Sequence, residues 1–122
     1  MRAVAESFTA SVEFQYEGTS HYELRLLTRP LHRYGSAEGS VVDGTLWAFV
    51  QGTNPEVLLL VETRPAPDST LRWHYAFAAM TSYPAEAKHN GKSVWKVDRQ
   101  PIPTPTTRGP YLFRYDVPTA GP

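Results

Sequence analysis

A chain of 122 residues that is 41% apolar and 12% aromatic holds one hydrophobic core, and closes it without a metal or a disulfide. Twelve Lys and Arg balance twelve Asp and Glu. The chain therefore lacks the positive field on which non-specific nucleic-acid or anionic-membrane binding relies. It has no cysteine, which excludes a disulfide framework, a thiolate nucleophile and a cysteine-ligated zinc.

No apolar run of signal-peptide length precedes Glu6, and the longest aliphatic run, Val57 to Val61, is too short to span a bilayer. As written, the chain reads as soluble and cytoplasmic; a piece of a longer exported precursor would read the same. Arg outnumbers Lys nine to three, a bias towards cations that stack and hydrogen-bond in a plane. A GC-rich genome gives the same bias.

The first element is the clearest. Phe8, Ala10, Val12, Phe14 and Tyr16 alternate with Thr9, Ser11, Glu13 and Gln15, the two-residue period of a strand with one wet face. Glu17-Gly18-Thr19-Ser20 supplies a turn, and Tyr22, Leu24 and Leu26 resume the alternation as the second arm of a hairpin. Pro30 ends that strand or sets it on a sheet edge. Leu31 to Gly44 reads as irregular, broken by Gly35, Ser36, Gly39 and Ser40.

Thr45 to Gln51 and Val57 to Val61 are apolar on both faces, as central strands are, and Gly52-Thr53-Asn54-Pro55 between them is a turn by composition. After the connector Pro65 to Ser69, Leu71, Trp73, Tyr75, Phe77 and Ala79 share one strand face. Asn90-Gly91 is the strongest turn dipeptide, because both residues tolerate the positive φ of a two-residue hairpin turn. It predicts a hairpin of Ala85–His89 with Lys92–Val97. The rival is a short helix over residues 84–90, begun by Pro84 and stopped by Gly91, with no apolar face to hold it. Residues 100–110 are a proline-spaced connector, Tyr111 to Val117 a closing strand, and residues 118–122 a loose tail.

Seven or eight short strands with frequent turns and no long helix predict a single all-β domain over residues 1–122. The expected architecture is an antiparallel β-sandwich, with a closed antiparallel barrel as the alternative.

Chemistry-bearing groups are sparse. His21, His32, His74 and His89 show no metal-ligand spacing, and isolated histidines of this kind are most simply structural. Gly35-Ser36-Ala37-Glu38-Gly39 lacks the centred serine and strand-to-helix context of a nucleophile elbow. Gly52-Thr53-Asn54-Pro55 lacks the lysine and helix of a phosphate-binding loop. Glu13, Glu23, Asp43 and Glu62 are the acids nearest apolar residues, and nothing in their spacing brings two together for glycoside chemistry. Glu62 reads as a partly buried acid paired with Arg64 or Arg72. The basic stretch Arg25 to Tyr34, flanked by Tyr22, has the ingredients of a single-strand nucleic-acid face. A charged strand edge explains it more simply.

At Val42-Asp43-Gly44-Thr45-Leu46-Trp47-Ala48-Phe49-Val50-Gln51-Gly52-Thr53-Asn54-Pro55-Glu56-Val57-Leu58-Leu59-Leu60-Val61-Glu62 the chain resembles an uncharacterised group of bacterial proteins. They share an apolar strand, a Gly-Thr-Asn/Asp-Pro turn and a second apolar strand. The likeness continues through Arg72-Trp73-His74-Tyr75-Ala76 and Val94-Trp95-Lys96-Val97, covering most of the chain from Glu23 to Val97. It implies a recurring domain, and neither an activity nor site residues.

Three functional readings follow, in order. The first is a noncatalytic binding or interaction module for an unknown protein or carbohydrate ligand, needing no cofactor or metal and binding neither nucleic acid nor membrane. The second is a carbohydrate-binding sandwich using exposed rings at Trp47, Trp95 and Tyr34, with Trp95 the best candidate for exposure. The third is a small hydrolase-like enzyme with Glu62, Arg72 and His74 in a cleft. Tyr34, Trp47, Arg72, His74 and Trp95 are thus the candidate ligand-binding residues. Free strand edges and aromatic surfaces make a homodimer a reasonable expectation.

Overall fold

The computed structural model describes residues 1–14, 18, 20–35 and 43–98 in full, and residues 112–116 by their backbone. The proline-spaced connector, the tail and the Ser36–Gly39 segment expected from the sequence lie outside the described residues. A one-turn helix, α1 (Arg2–Glu6), opens the chain and drops Ala5 into the core; five residues with no cap gave no periodicity to read.

The alternation at Phe8 becomes β1 (Phe8–Phe14). The expected second arm is not one strand but two, β2 (Ser20–Glu23) and β3 (Arg25–Leu26). At Leu24 the chain leaves one sheet for the other. Its N–H still donates to the Ala10 carbonyl at 2.8 Å, while Arg25 already pairs with Val50. The Leu24 side chain packs on the core, and this burial fixes the corner.

A short strand, β4 (His32–Tyr34), pairs with β5 (Asp43–Gln51), so the stretch read as irregular holds an element. Three residues around a proline and glycines are too few for any period to register. With Leu27 and Leu31 also donating to β5 carbonyls, residues 25–34 run along one edge of the sheet, and the basic stretch is that edge.

A two-residue turn at Gly52-Thr53, where Gly52 has a φ of 60°, leads into β6 (Asn54–Pro65), the longest strand. Pro55 has no N–H for a ladder, and the register slips beside it: Phe49 faces Val57 while Val50 faces Pro55. The Ala66–Thr70 connector follows, where the Thr70 hydroxyl and backbone N–H donate to Asp68 and hold its carboxyl below the usual range. Next come β7 (Leu71–Ala79), β8 (Ala85–His89), β9 (Lys92–Val97) and β10 (Leu112–Asp116). Asn90 and Gly91 both take positive φ, 49° and 86°, so residues 84–90 form the expected hairpin arm and not a helix.

The strands form two antiparallel sheets, β2-β1-β8-β9 and β10-β7-β6-β5-β3, with β4 also on β5. Neither sheet closes on itself, so the architecture is sandwich-like and the barrel alternative falls. Between the sheets, small residues of the four-stranded sheet (Ala10, Ala85, Ala87) share the core with large ones of the other (Trp47, Phe49, Leu59, Phe77). Phe8 lies 4.9 Å from Tyr75 and 5.5 Å from Phe77, and Phe77 stacks on Trp95 at 5.4 Å. Such ring pairs contribute about 0.5–1.5 kcal/mol each beyond the area they bury. The far face of the larger sheet is also apolar, carrying Leu46, Ala48, Val50, Leu58, Leu60, Ala76 and Ala78. That explains why β5 and β6 lack any polar face. Among the described residues, no helix is long and apolar enough to cross a membrane.

Candidate functional site

Since Phe8, Ala10 and Val12 point into the core, Thr9, Ser11 and Glu13 stand on the opposite, wet face of the four-stranded sheet. Strand register then decides their neighbours. Ser11 is paired with Glu23 on one side and Glu86 on the other, and Glu86 is paired with Lys96. In the next row Glu13 is paired with His21, and its N–H donates to the Pro84 carbonyl at 2.9 Å. Directly paired side chains lie about 4.5–5.5 Å apart at Cβ, so these rows are in contact range.

A short serine between long side chains leaves a depression. A hollow of about 250 Å³ is floored by Ser11, Pro84 and Ala85 and walled by Glu13, Glu86, Asp98, Lys96 and His21. Ser11 is only 7% exposed, and its hydroxyl has no hydrogen-bond partner among the described residues. Glu13, Glu86, Asp98 and Lys96 form no ion pair among the described residues, whereas His21 and Glu23 meet at 3.0 Å on the rim. The lining thus offers three carboxylates, one ammonium, one imidazole and one hydroxyl. No three groups of the kind that ligate metals converge among the described residues.

No family model matches the chain, and neither a curated protein nor a solved structure does. The site is therefore read from its own geometry.

The residues singled out by sequence lie elsewhere. Trp47 and Trp95 are 2% and 3% exposed, each wedged in the core. Trp95, expected to be the exposed ring, instead stacks on Phe77; the slip between Ala87 and Lys88 in the β8–β9 register lets Trp95 pair with Ala87 and share its inward face. Trp73 is half-buried against the same core. An aromatic platform on these tryptophans is ruled out by their burial.

Tyr34, Glu62, Arg72 and His74 do share a face, the far face of the larger sheet. The Tyr34 ring packs against Gly44, filling the space a Cβ there would need, and its hydroxyl donates to Glu62 Oε2 at 2.5 Å. Arg64 donates through Nε and Nη2 to Glu62 Oε1, at 3.1 and 2.7 Å. Glu62 is the paired acid expected, with Arg64 as its partner. His74 is paired with Glu62 in the β6–β7 register, and the exposed Arg72 is paired with Arg64. Tyr34 and Arg64 hold both oxygens of a carboxylate that is 5% exposed, an arrangement suited to fixing β4 onto the sheet.

Sequence reading separated Glu13 from Glu23, and the structure brings them to adjacent strands of one face, with Glu86 beside them. The missed wall residues, Glu86, Lys96 and Asp98, carried half a signal. Their hairpin was legible, but its pairing to β1 joins segments from opposite ends of the described chain, and no local pattern reports that.

Proposed function

We propose that this domain is a noncatalytic binding module that takes a small polar ligand in the hollow over Ser11. The observation that carries the reading is a serine, 7% exposed, whose hydroxyl opens onto the floor of a concave, charged surface with no hydrogen-bond partner among the described residues. The surrounding strands are held by the core beneath, so the walls are preorganised on a rigid sheet. The carbohydrate reading loses its rings at Trp47 and Trp95, though not the hollow as a place for a polyol. The enzyme reading loses the carboxylate it needed, because Glu62 is engaged by Tyr34 and Arg64.

Amide chemical shifts test this reading directly. A ¹⁵N-labelled chain titrated with monosaccharides, amino acids, nucleosides and polyamines is expected to respond at Ser11, Glu13, Glu86 and Lys96, and Ser11→Leu is expected to abolish the response. Shifts confined to the Leu46, Leu58 and Leu60 face, or no shifts with any compound, would overturn it.

A further inference from the structure

We infer that the hollow over Ser11 selects a small organic cation with several N–H donors, a polyamine or a guanidinium compound. This rests on the binding reading above and assigns its ligand class. Two independent features point the same way. The first is charge: Glu13, Glu86 and Asp98 line the hollow against Lys96 and against His21, which meets Glu23, and none of the three carboxylates is in an ion pair among the described residues. The second is the Ser11 hydroxyl, which opens onto the hollow from a residue only 7% exposed, has no hydrogen-bond partner among the described residues and can accept an N–H.

The lining does not offer the ligand set of a bare metal ion: no three potential ligands converge among the described residues. Ser11 faces Glu86 directly, so Glu13, two residues along β1, is a diagonal neighbour of Glu86. Diagonal positions on an antiparallel pair are about 7–8 Å apart. A cation several atoms long can donate to both carboxylates at once, through charge-assisted hydrogen bonds about twice as strong as neutral ones. Lys96 stands on the outer strand β9, with Glu86 between it and Ser11. It therefore limits the cation to the β1 side of the hollow and lowers its affinity.

That last feature gives the proposal a signature no generic acidic patch shares. Calorimetry on the full chain at low ionic strength, using agmatine and spermidine as probes, should show saturable binding, and ¹⁵N shifts should centre on Ser11, Glu13 and Glu86. Glu13→Gln and Glu86→Gln should each weaken binding roughly tenfold, since each removes a hydrogen bond to a charged group. Lys96→Gln should tighten it several-fold, and Ser11→Leu should abolish it with the amide spectrum otherwise retained. If Ser11→Leu fails to fold, Ser11→Ala, expected to weaken binding a few-fold, takes its place. Glucose and magnesium serve as comparators. Should glucose move the Ser11 and Glu86 resonances while the amines do not, the hollow stands as a site and the cation assignment falls. Magnesium acting alone at those resonances overturns the assignment equally. Amine binding indifferent to both Ser11 and Lys96 substitutions also overturns it, as diffuse attraction. Silence from every probe at Ser11 removes the assignment together with the binding reading.

Discussion

Two buried tryptophans show how much a single polar atom decides. The Trp47 Nε1–H donates to Thr45 Oγ1 at 2.8 Å, and Thr45 in turn reaches the Met1 sulfur at 3.5 Å. The Trp95 Nε1–H, by contrast, is buried with no partner among the described residues. Trp→Phe removes the same atoms at both sites with different consequences. At Trp47 it leaves a buried threonine acceptor unpaired and adds that loss to the cavity, so a destabilisation of about 2–4 kcal/mol is expected. At Trp95 the substitution relieves an orphaned donor worth about 1–3 kcal/mol, which offsets most of the lost packing against Phe77. The expected outcome is a Trp95→Phe variant within about 1 kcal/mol of the parent. Urea unfolding of the two variants side by side measures the gap, and equal losses would show that the Trp95 indole has a partner in solution. The same accounting separates Ser11 from Trp95. Both carry unpartnered polar groups, but only Ser11 opens onto a hollow that a ligand can enter.

At the scale of elements, what was legible follows the range of the interactions concerned. The Asn90-Gly91 hairpin was readable because its cause is local: two consecutive residues at positive φ, one of them glycine. Gly91→Ala forces a Cβ into that region and should cost roughly 1–2 kcal/mol, although nothing stands within 4 Å of the new atom. A fall in the urea midpoint with an unchanged slope is the expected result; no fall would mean that the turn relaxes to another type. The doubly apolar β5 and β6 were readable for the same reason, since each residue's own polarity reports its burial. The corner at Leu24 was not. A strand that leaves one sheet for another keeps its alternation, and only the partners change, from Ser11 at Glu23 to Val50 at Arg25. The Tyr34–Glu62 contact was half legible. Glu62 and Arg64 stand on one strand face two residues apart, but the tyrosine arrives from β4, whose three residues carry no period. The hollow was the least legible feature, because its two halves come from β1 and β8 and meet only through register.

For the whole molecule, that same register joins function to stability. Phe8 pairs with His89 and its ring lies tilted against that histidine at 4.6 Å, while it also touches Tyr75 and Phe77 across the core. One side chain therefore ties the β1–β8 seam to the opposite sheet. Phe8→Ala should cost about 3–5 kcal/mol, a large share of the total stability of a domain this size. Tyr22 on the edge strand β2 touches only the ring of Phe14 among the described aromatics, at 5.1 Å, and is 41% exposed. Tyr22→Ala should cost about 1 kcal/mol or less. Amide exchange distinguishes a shared core from two loosely docked sheets. In one cooperative unit, Phe8→Ala accelerates exchange in β5, β6 and β7 as much as in β1 and β8, because every one of those amides opens through global unfolding. If β1 and β8 alone exchange faster, the small sheet opens by itself and carries its hollow with it. A ligand held over Ser11 would then stabilise the β1–β8 seam selectively, because only the closed small sheet binds it. In the cooperative case the same ligand would slow exchange in β6 and in β1 alike. The exchange pattern with and without spermidine therefore reads the mechanical unity of the fold and the location of the site in one measurement.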